Sequence, residues 1–235
     1  MISIIIPCYN EEKTIEKLLN KIFFIKLKKQ IIVINDGSTD KSKSIINKYK
    51  NKIDTIIDKK KNTGKGSCII LAKKFIKGKI VIIQDADLEY DPKDYYKLTK
   101  PILEKKSLVV YGSRVLNRNN YKNNNFSKSF RVLGNFILTL ISNFINNQNL
   151  TDAHTCYKVF DSSLFKKISL KQSDFSFCAE VTTKLSLMNI NILEIPIRYK
   201  GRSYKDGKKI SFSDAFKTFY TLIKYRFFKN FIKIF

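Results

Sequence analysis

Short apolar runs alternate along this chain with stretches in which apolar residues return every third or fourth position. Residues 2–7 form a β-branched run closed by Pro7, the pattern of a central strand. Asn10 then stands where a helix N-cap belongs, Glu11 and Glu12 fill a first turn, and Ile15, Leu18, Leu19 and Ile22 make one helical face. Residues 30–35 predict a second strand, which runs into a turn from Asp36 to Asp40 that caps a helix carrying Ile45, Ile46 and Tyr49. A third strand over 54–57 is followed by a glycine turn at Gly64 and Gly66 opening a helix over 67–76. Residues 79–84 predict a fourth strand, Pro92 opens a helix to about residue 104 with Asp91 as its cap, and 108–111 predict a fifth strand. Strands alternating with helices are the mark of a parallel α/β sheet.

The second half is less regular. Residues 116–129 are rich in Asn, Lys and Arg without periodicity, which fits either a lid or a surface insertion. A helix is expected over 130–146 and another over 177–187, with Glu180 near its start as a cap or a group acting on an acceptor. Residues 192–199 predict an edge strand, because Pro196 removes a ladder donor. Residues 201–209 make a basic loop with two glycines, either solvated or an anion-binding lid. Ser211 and Asp214 have capping-box spacing, and behind them Phe216, Phe219, Tyr220, Ile223 and Phe227 recur at helical intervals with Lys217, Lys224 and Arg226 between. Such a helix suits an anionic membrane surface, and equally the flank of its own domain or of a partner subunit.

Length and composition narrow the class. With 235 residues, 43% hydrophobic, the chain is long enough for one sizeable domain, expected over 1–210, with the basic amphipathic helix 211–235 appended. A formal charge of +25 invites polyanions, but Lys enrichment spread along the whole chain accounts for much of it, and nucleic acid is not expected as a partner. From Pro196 onward, eleven Lys and Arg face two Asp, a net +9 that a uniform bias does not explain. Cys8, Cys68, Cys156 and Cys178 lack CxxC spacing, a strand pattern starts at Ile2 where a signal peptide would lie, and no apolar window is long enough to span a membrane. A cytoplasmic protein, peripheral at the inner face of a membrane, is the expectation.

The chemistry gathers at the end of the fourth strand. In KIVIIQDADLEYDP, Asp85, Asp87 and Glu89 are spaced two apart, so an extended segment points all three at one spot. Three hard oxygen donors suit Mg²⁺ or Mn²⁺; an acidic turn is the plainer alternative. Loops after the first, second and fourth strands all carry polar residues, and ligands of open α/β sheets bind at the carboxyl ends of strands. The expectation is a nucleotide site with a metal. No GxGxxG follows the first strand, and Gly66 after Lys65 excludes a P-loop, though Lys65 stays within reach of a phosphate. The segment LTDAHTCYKVF, 150–160, brings together Asp152, His154, Thr155, Cys156 and Lys158; with a single histidine in the chain, zinc is not expected.

With these residues in view, IIIPCYNEEKTIEKLL, VINDGSTDKS, NTGKGSCI, IQDADLEYDP, VVYGSR, LTDAHTCYKVF and EIPIRYKGRSYKDGKKI together resemble the family 2 glycosyltransferases, and within them the dolichyl-phosphate mannose and glucose synthase-like enzymes. The resemblance implies a single-domain GT-A fold, a mostly parallel sheet flanked by helices, and inverting transfer from a nucleotide-diphosphate sugar. It implies that Pro7, Tyr9, Glu11 and Asp36 hold the base and ribose, that Asp85 and Asp87 form the DxD-type motif with Glu89 completing the metal shell, and that Arg114, Arg131 and Arg202 contact diphosphate or acceptor phosphate. A polyprenyl-phosphate acceptor needs no general base, whereas a glycan hydroxyl needs a carboxylate such as Glu180 or Asp152. A non-catalytic basic protein that binds membranes or polyanions is the remaining alternative.

Overall fold

The computed structural model describes residues 1–116, 130–202 and 212–228. Among these, seven strands form one sheet: β1 (Ile2–Cys8), β2 (Lys29–Asn35), β3 (Thr55–Asp58), β4 (Ile80–Ile83), β5 (Val109–Ser113), β6 (Lys158–Asp161) and β7 (Ile192–Pro196), in the order β3-β2-β1-β4-β6-β5-β7. β1, β2, β3 and β4 run parallel, as do β5 and β7. The apolar runs that announced β1, β2 and β4 are buried on both faces because helices cover both sides, so nothing along them alternates with water. Each buried Ile there contributes on the order of 1.5–3 kcal/mol relative to exposure.

The sheet is mixed because β6 lies antiparallel between β4 and β5. The sequence did not announce this strand. Lys158, at its start, is fully buried among apolar neighbours; its ammonium donates to the carbonyls of Ala153 at 2.9 Å and Thr155 at 2.8 Å, and lies 4.0 Å from the centre of the Tyr111 ring. Satisfied in this way, a lysine sits where a sequence pattern expects an apolar residue.

Helices α1 (Ile15–Phe23), α2 (Ser42–Lys48), α3 (Lys65–Ala72) and α4 (Tyr95–Leu103) connect the first five strands. Helix α1 begins later than expected from an Asn10 cap. Asn10 takes a left-handed backbone (φ 51°), and its side-chain oxygen accepts from the Thr39 amide at 2.8 Å, tying the loop after β1 to the loop after β2. The Glu11 carbonyl instead accepts from Thr14 and Ile15 as the helix starts. Asp91 caps the turn at Pro92 as expected, accepting from the Lys93 amide. Further on come α5 (Phe130–Asn146), α6 (Ser162–Lys167), α7 (Phe177–Leu187) and α8 (Phe212–Phe227), with α8 packed on α7 and α5. β7 is an edge strand, ending at Pro196 rather than at residue 199; beyond it Tyr199 bridges back to Tyr90. Arg131 falls within α5 with its side chain outside the described residues, and the basic stretch 203–209, the 117–129 loop and Ser211 lie outside them altogether.

Candidate active site at the carboxyl ends of the central strands

The chain leaves β1 toward β2 on one side and returns to β4 on the other, so the crevice of this sheet opens between the ends of β1 and β4. Pro7 and Tyr9 follow from β1, Asp36 from β2, and Asp85, Asp87 and Glu89 from β4, all on this edge. The loop after β1 is braced from beneath: the Glu11 amide donates to the Ser42 hydroxyl at 2.8 Å and the Glu12 amide to Asp40 at 3.0 Å.

Asp36 is buried and its carboxylate holds the next loop. It accepts from the amides of Thr63 at 3.1 Å and Gly64 at 2.8 Å and pairs with Lys59 at 2.6 Å. Gly64 takes φ +96°, and a Cβ there would come within 2.4 Å of the Ser173 carbonyl, so only glycine fits the turn that launches α3. The turn delivers Lys65, which pairs with Asp85 at 2.5 Å and lies 3.2 Å from the Cys156 sulfur. Burial disfavours the Lys65 ammonium, but Asp85 and the nearby thiols of Cys156 and Cys178 outweigh it and hold its pKa above the ordinary value.

Asp87 and Glu89 meet Arg202 from the segment after β7. Its guanidinium donates to Asp87 at 3.0 Å and to both oxygens of Glu11 at 3.0 and 3.1 Å. Glu89 anchors that same segment: its carboxylate accepts from the Tyr199 hydroxyl at 2.6 Å and the Arg202 amide at 2.8 Å, and its carbonyl from the Lys200 amide at 2.8 Å. Burial, then repulsion from Asp85 and Glu89, pushes the Asp87 carboxyl well above the usual range, and Arg202 only partly offsets this. As placed, with Lys65 on Asp85 and Arg202 on Asp87, the described residues gather no ready-made set of three His, Cys, Asp or Glu around a cation. The donor chemistry nevertheless fits a hard divalent ion, since three carboxylates stand close together here and two of them, Asp85 and Glu89, push the Asp87 carboxyl up for want of positive charge.

The two other carboxylates expected at the site have different surroundings. Asp152 is fully buried and receives Arg114 through two contacts, Nε at 2.6 Å and a terminal nitrogen at 2.7 Å, with the Arg114 amide at 3.1 Å. Burial would raise its pKa, but Arg114 wins and holds it below the ordinary value. Arg114 also stacks on Tyr199 with 5.2 Å to the ring centre, which links this pair to the anchor on Glu89. Glu180 is likewise fully buried. It pairs with Lys184 at 2.8 Å and accepts from the amides of Lys171 and Gln172. Both carboxylates are thus engaged in ion pairs within the fold.

Local patterns missed several residues. Glu194 on β7 accepts from the Thr151 amide at 2.7 Å and the Asp152 amide at 3.0 Å, setting the segment that presents Asp152. Gln84 receives the hydroxyls of Tyr95 at 2.7 Å and Tyr157 at 2.6 Å beneath the acidic loop. A glutamine directly before the carboxylate trio, ending an otherwise apolar strand, was the available signal for it.

A sequence model described as glycosyl transferase family 2 matches residues 3–169. The chain belongs to that family. Over 95% of its length, and 95% of the relative's, it is 28% identical to the UDP-N-acetylglucosamine–dolichyl-phosphate N-acetylglucosaminyltransferase of Methanococcus voltae. It is 27% identical to a dolichyl-phosphate beta-glucosyltransferase of Trichomonas vaginalis over 95% of this chain and 72% of that one. Among solved structures it is similar to glucosyl-3-phosphoglycerate synthase from Mycobacterium tuberculosis in complex with Mn²⁺, UDP-glucose and glycerol 3-phosphate, with a TM-score of 0.69 and 16% identity over 95% of this chain and 79% of that one. The shared fold is that of the GT-A glycosyltransferases, and this family 2 chain is a glycosyltransferase built on it.

Proposed function

We propose that the chain transfers a sugar from a UDP- or GDP-linked donor to the phosphate of a polyprenyl phosphate. The observation that carries this acceptor over a glycan hydroxyl is the state of Asp152 and Glu180. A hydroxyl acceptor must lose a proton to a base, and both candidates are buried in ion pairs; a phosphate oxygen arrives already anionic. The likeness to two enzymes named for dolichyl phosphate supports the same reading.

In this reading an oxygen of the acceptor phosphate attacks the anomeric carbon from the face opposite the leaving group. The bond from that carbon to the donor's diphosphate breaks, and the nucleoside diphosphate leaves with the electron pair, which inverts the configuration. Asp85 and Asp87, with Glu89 beside them, are the residues to hold Mg²⁺ or Mn²⁺, which supplies positive charge to the departing diphosphate. Pro7, Tyr9, Glu11 and Asp36 border the crevice for base and ribose. Arg202 and Lys65 bring cationic charge to its rim, where diphosphate oxygens come to lie. Arg131 is proposed for the acceptor phosphate, and Arg114 acts by holding Asp152 and Tyr199.

Incubation with radiolabelled UDP- and GDP-sugars, Mg²⁺ and a polyprenyl phosphate tests this. A labelled, solvent-extractable lipid product is expected for at least one donor. Labelling of a glycan acceptor alone, or no transfer with any common donor, would overturn it.

A further inference from the structure

The acidic segment after β4 does not run extended. It turns at Ala86 and Asp87, and Leu88 takes a left-handed backbone at φ 63°, a conformation that a bulky side chain keeps only when its surroundings hold it there. Ala86 is buried and Leu88 packs against the core, while Asp85 and Asp87 stay partly exposed. Such a turn has to be fastened at both ends. Behind it, the Glu89 carbonyl accepts from the Lys200 amide at 2.8 Å and Tyr90 bridges to Tyr199. In front of it stands Gln84.

Gln84 follows the last residue of β4 and is fully buried. Its side-chain amide donates to the Asp85 carbonyl at 2.8 Å, and its side-chain oxygen accepts from the Tyr95 hydroxyl of α4 at 2.7 Å and the Tyr157 hydroxyl at 2.6 Å. These partners allow one orientation of the amide, because the flipped form would set its oxygen against the Asp85 carbonyl, acceptor against acceptor. Burial pushes both phenols well above their ordinary pKa, so each keeps its proton and donates. Two donors on one amide oxygen polarise the amide and strengthen the bond made by its nitrogen. The Tyr157 ring also lies 4.7 Å from the Tyr90 ring, centre to centre, and the Tyr90 hydroxyl accepts from the Cys156 amide at 3.0 Å. Tyr157 thus supports the turn at both ends.

We infer that Gln84 is a positioning residue for the metal: with Tyr95 and Tyr157 beneath it, it fixes the first peptide of the acidic turn and so sets where the Asp85 and Asp87 carboxylates meet a divalent cation. Packing alone calls for an apolar residue at this depth. The amide adds one thing, a donor on the Asp85 carbonyl. This role rests on the reading that Asp85, Asp87 and Glu89 hold Mg²⁺ or Mn²⁺, and it is independent of the sugar and of the acceptor.

Gln84→Met keeps the length of the side chain and removes the amide, but it strands two buried hydroxyls and should lower the melting temperature. Gln84→Met/Tyr95→Phe/Tyr157→Phe removes those hydroxyls as well and should melt close to the parent, because both partners of each buried bond are then apolar. With the full chain, calorimetric titration of UDP and GDP in the presence of Mn²⁺ should show binding about tenfold to a hundredfold weaker in both variants. The Mn²⁺ concentration for half-maximal sugar transfer should rise by a similar factor; a mere loss of folded enzyme lowers the rate without moving that midpoint. Tyr95→Phe/Tyr157→Phe leaves the amide on Asp85 and should bind nucleotide more tightly than either. The inference is overturned if the triple variant binds nucleotide and Mn²⁺ as the parent does, or if the tyrosine pair loses as much binding as Gln84→Met. It is overturned together with the metal reading if nucleotide binding by the parent ignores Mn²⁺. A parent that binds nucleotide with Mn²⁺ but transfers no sugar to a polyprenyl phosphate counts against the proposed function alone, and the titrations still decide the role of Gln84.

Discussion

Asp152 and Asp87 each face an arginine, yet their carboxyls are shifted in opposite directions. Asp152, in contact with Arg114 at 2.6 Å, is held below the ordinary carboxylate range; Asp87, with Arg202 at 3.0 Å, is pushed above it. Burial acts in the same sense on both, so the neighbours make the difference. Asp152 has Arg114 twice over and Lys158 nearby, whereas Asp87 is crowded by Asp85 and Glu89. One is a completed structural pair, the other part of a cluster with more negative charge than its protein partners relieve. A carboxylate's role is read from what neutralises it, not from its presence in a motif.

The largest expected effect comes from breaking the completed pair. Asp152→Ala leaves Arg114 buried without its partner and should cost about 3–5 kcal/mol of stability, seen as a large fall in the denaturation midpoint, whereas Asp87→Ala relieves repulsion and should leave that midpoint unchanged or higher. Equal destabilisation by both would break the comparison. Glu180→Gln, which deprives the buried Lys184 ammonium of its counter-charge, should cost about 2–3 kcal/mol while the folded fraction keeps its transfer rate; a folded but inactive variant would return Glu180 to the chemistry. Gly64→Ala should cost about 1–3 kcal/mol through backbone strain alone, and it should weaken nucleotide binding through Lys65, measurable by thermal shift with UDP.

The smallest effect is one of pH. His154 lies beside Asp152, and burial, then Lys158, lowers its pKa to about 4. The unfolded chain binds that proton near pH 6.5 and the folded chain only near 4, so in this window stability should rise with pH. Asp152, with its folded pKa depressed, adds stability that is present above the unfolded carboxylate pKa and lost as pH falls below it. The raised Asp87 carboxyl works in the opposite sense, so the test is made in Asp87→Ala, where urea midpoints between pH 4 and 7 should fall on acidification, and less steeply when His154→Asn is added.

The parts of the fold legible in the sequence are those whose causes are local. β1, β2 and β4 are apolar on both faces, so their runs announce themselves, and the Asp91–Pro92 cap sits in four consecutive residues. β6 was hidden because the carbonyls that satisfy Lys158 are visible only in three dimensions. Asn10 has the residue type of a cap, but its side chain is used on Thr39 in the loop after β2. At the site, strand-end logic gathered Pro7, Tyr9, Asp36, Asp85 and Asp87 on one edge. The ion pairs that assign roles join Arg202 to Asp87 and Arg114 to Asp152 over 115 and 38 positions, and no periodicity reports such partners.

The measurement that bears most directly on the acidic crevice is calorimetric titration of UDP and GDP into the parent and Asp87→Ala, each with Mn²⁺ and with chelator. The account predicts binding of one nucleotide by the parent only when the cation is present, and its loss in Asp87→Ala while the melting temperature holds. Binding that is indifferent to the cation, or undiminished in Asp87→Ala, would contradict it.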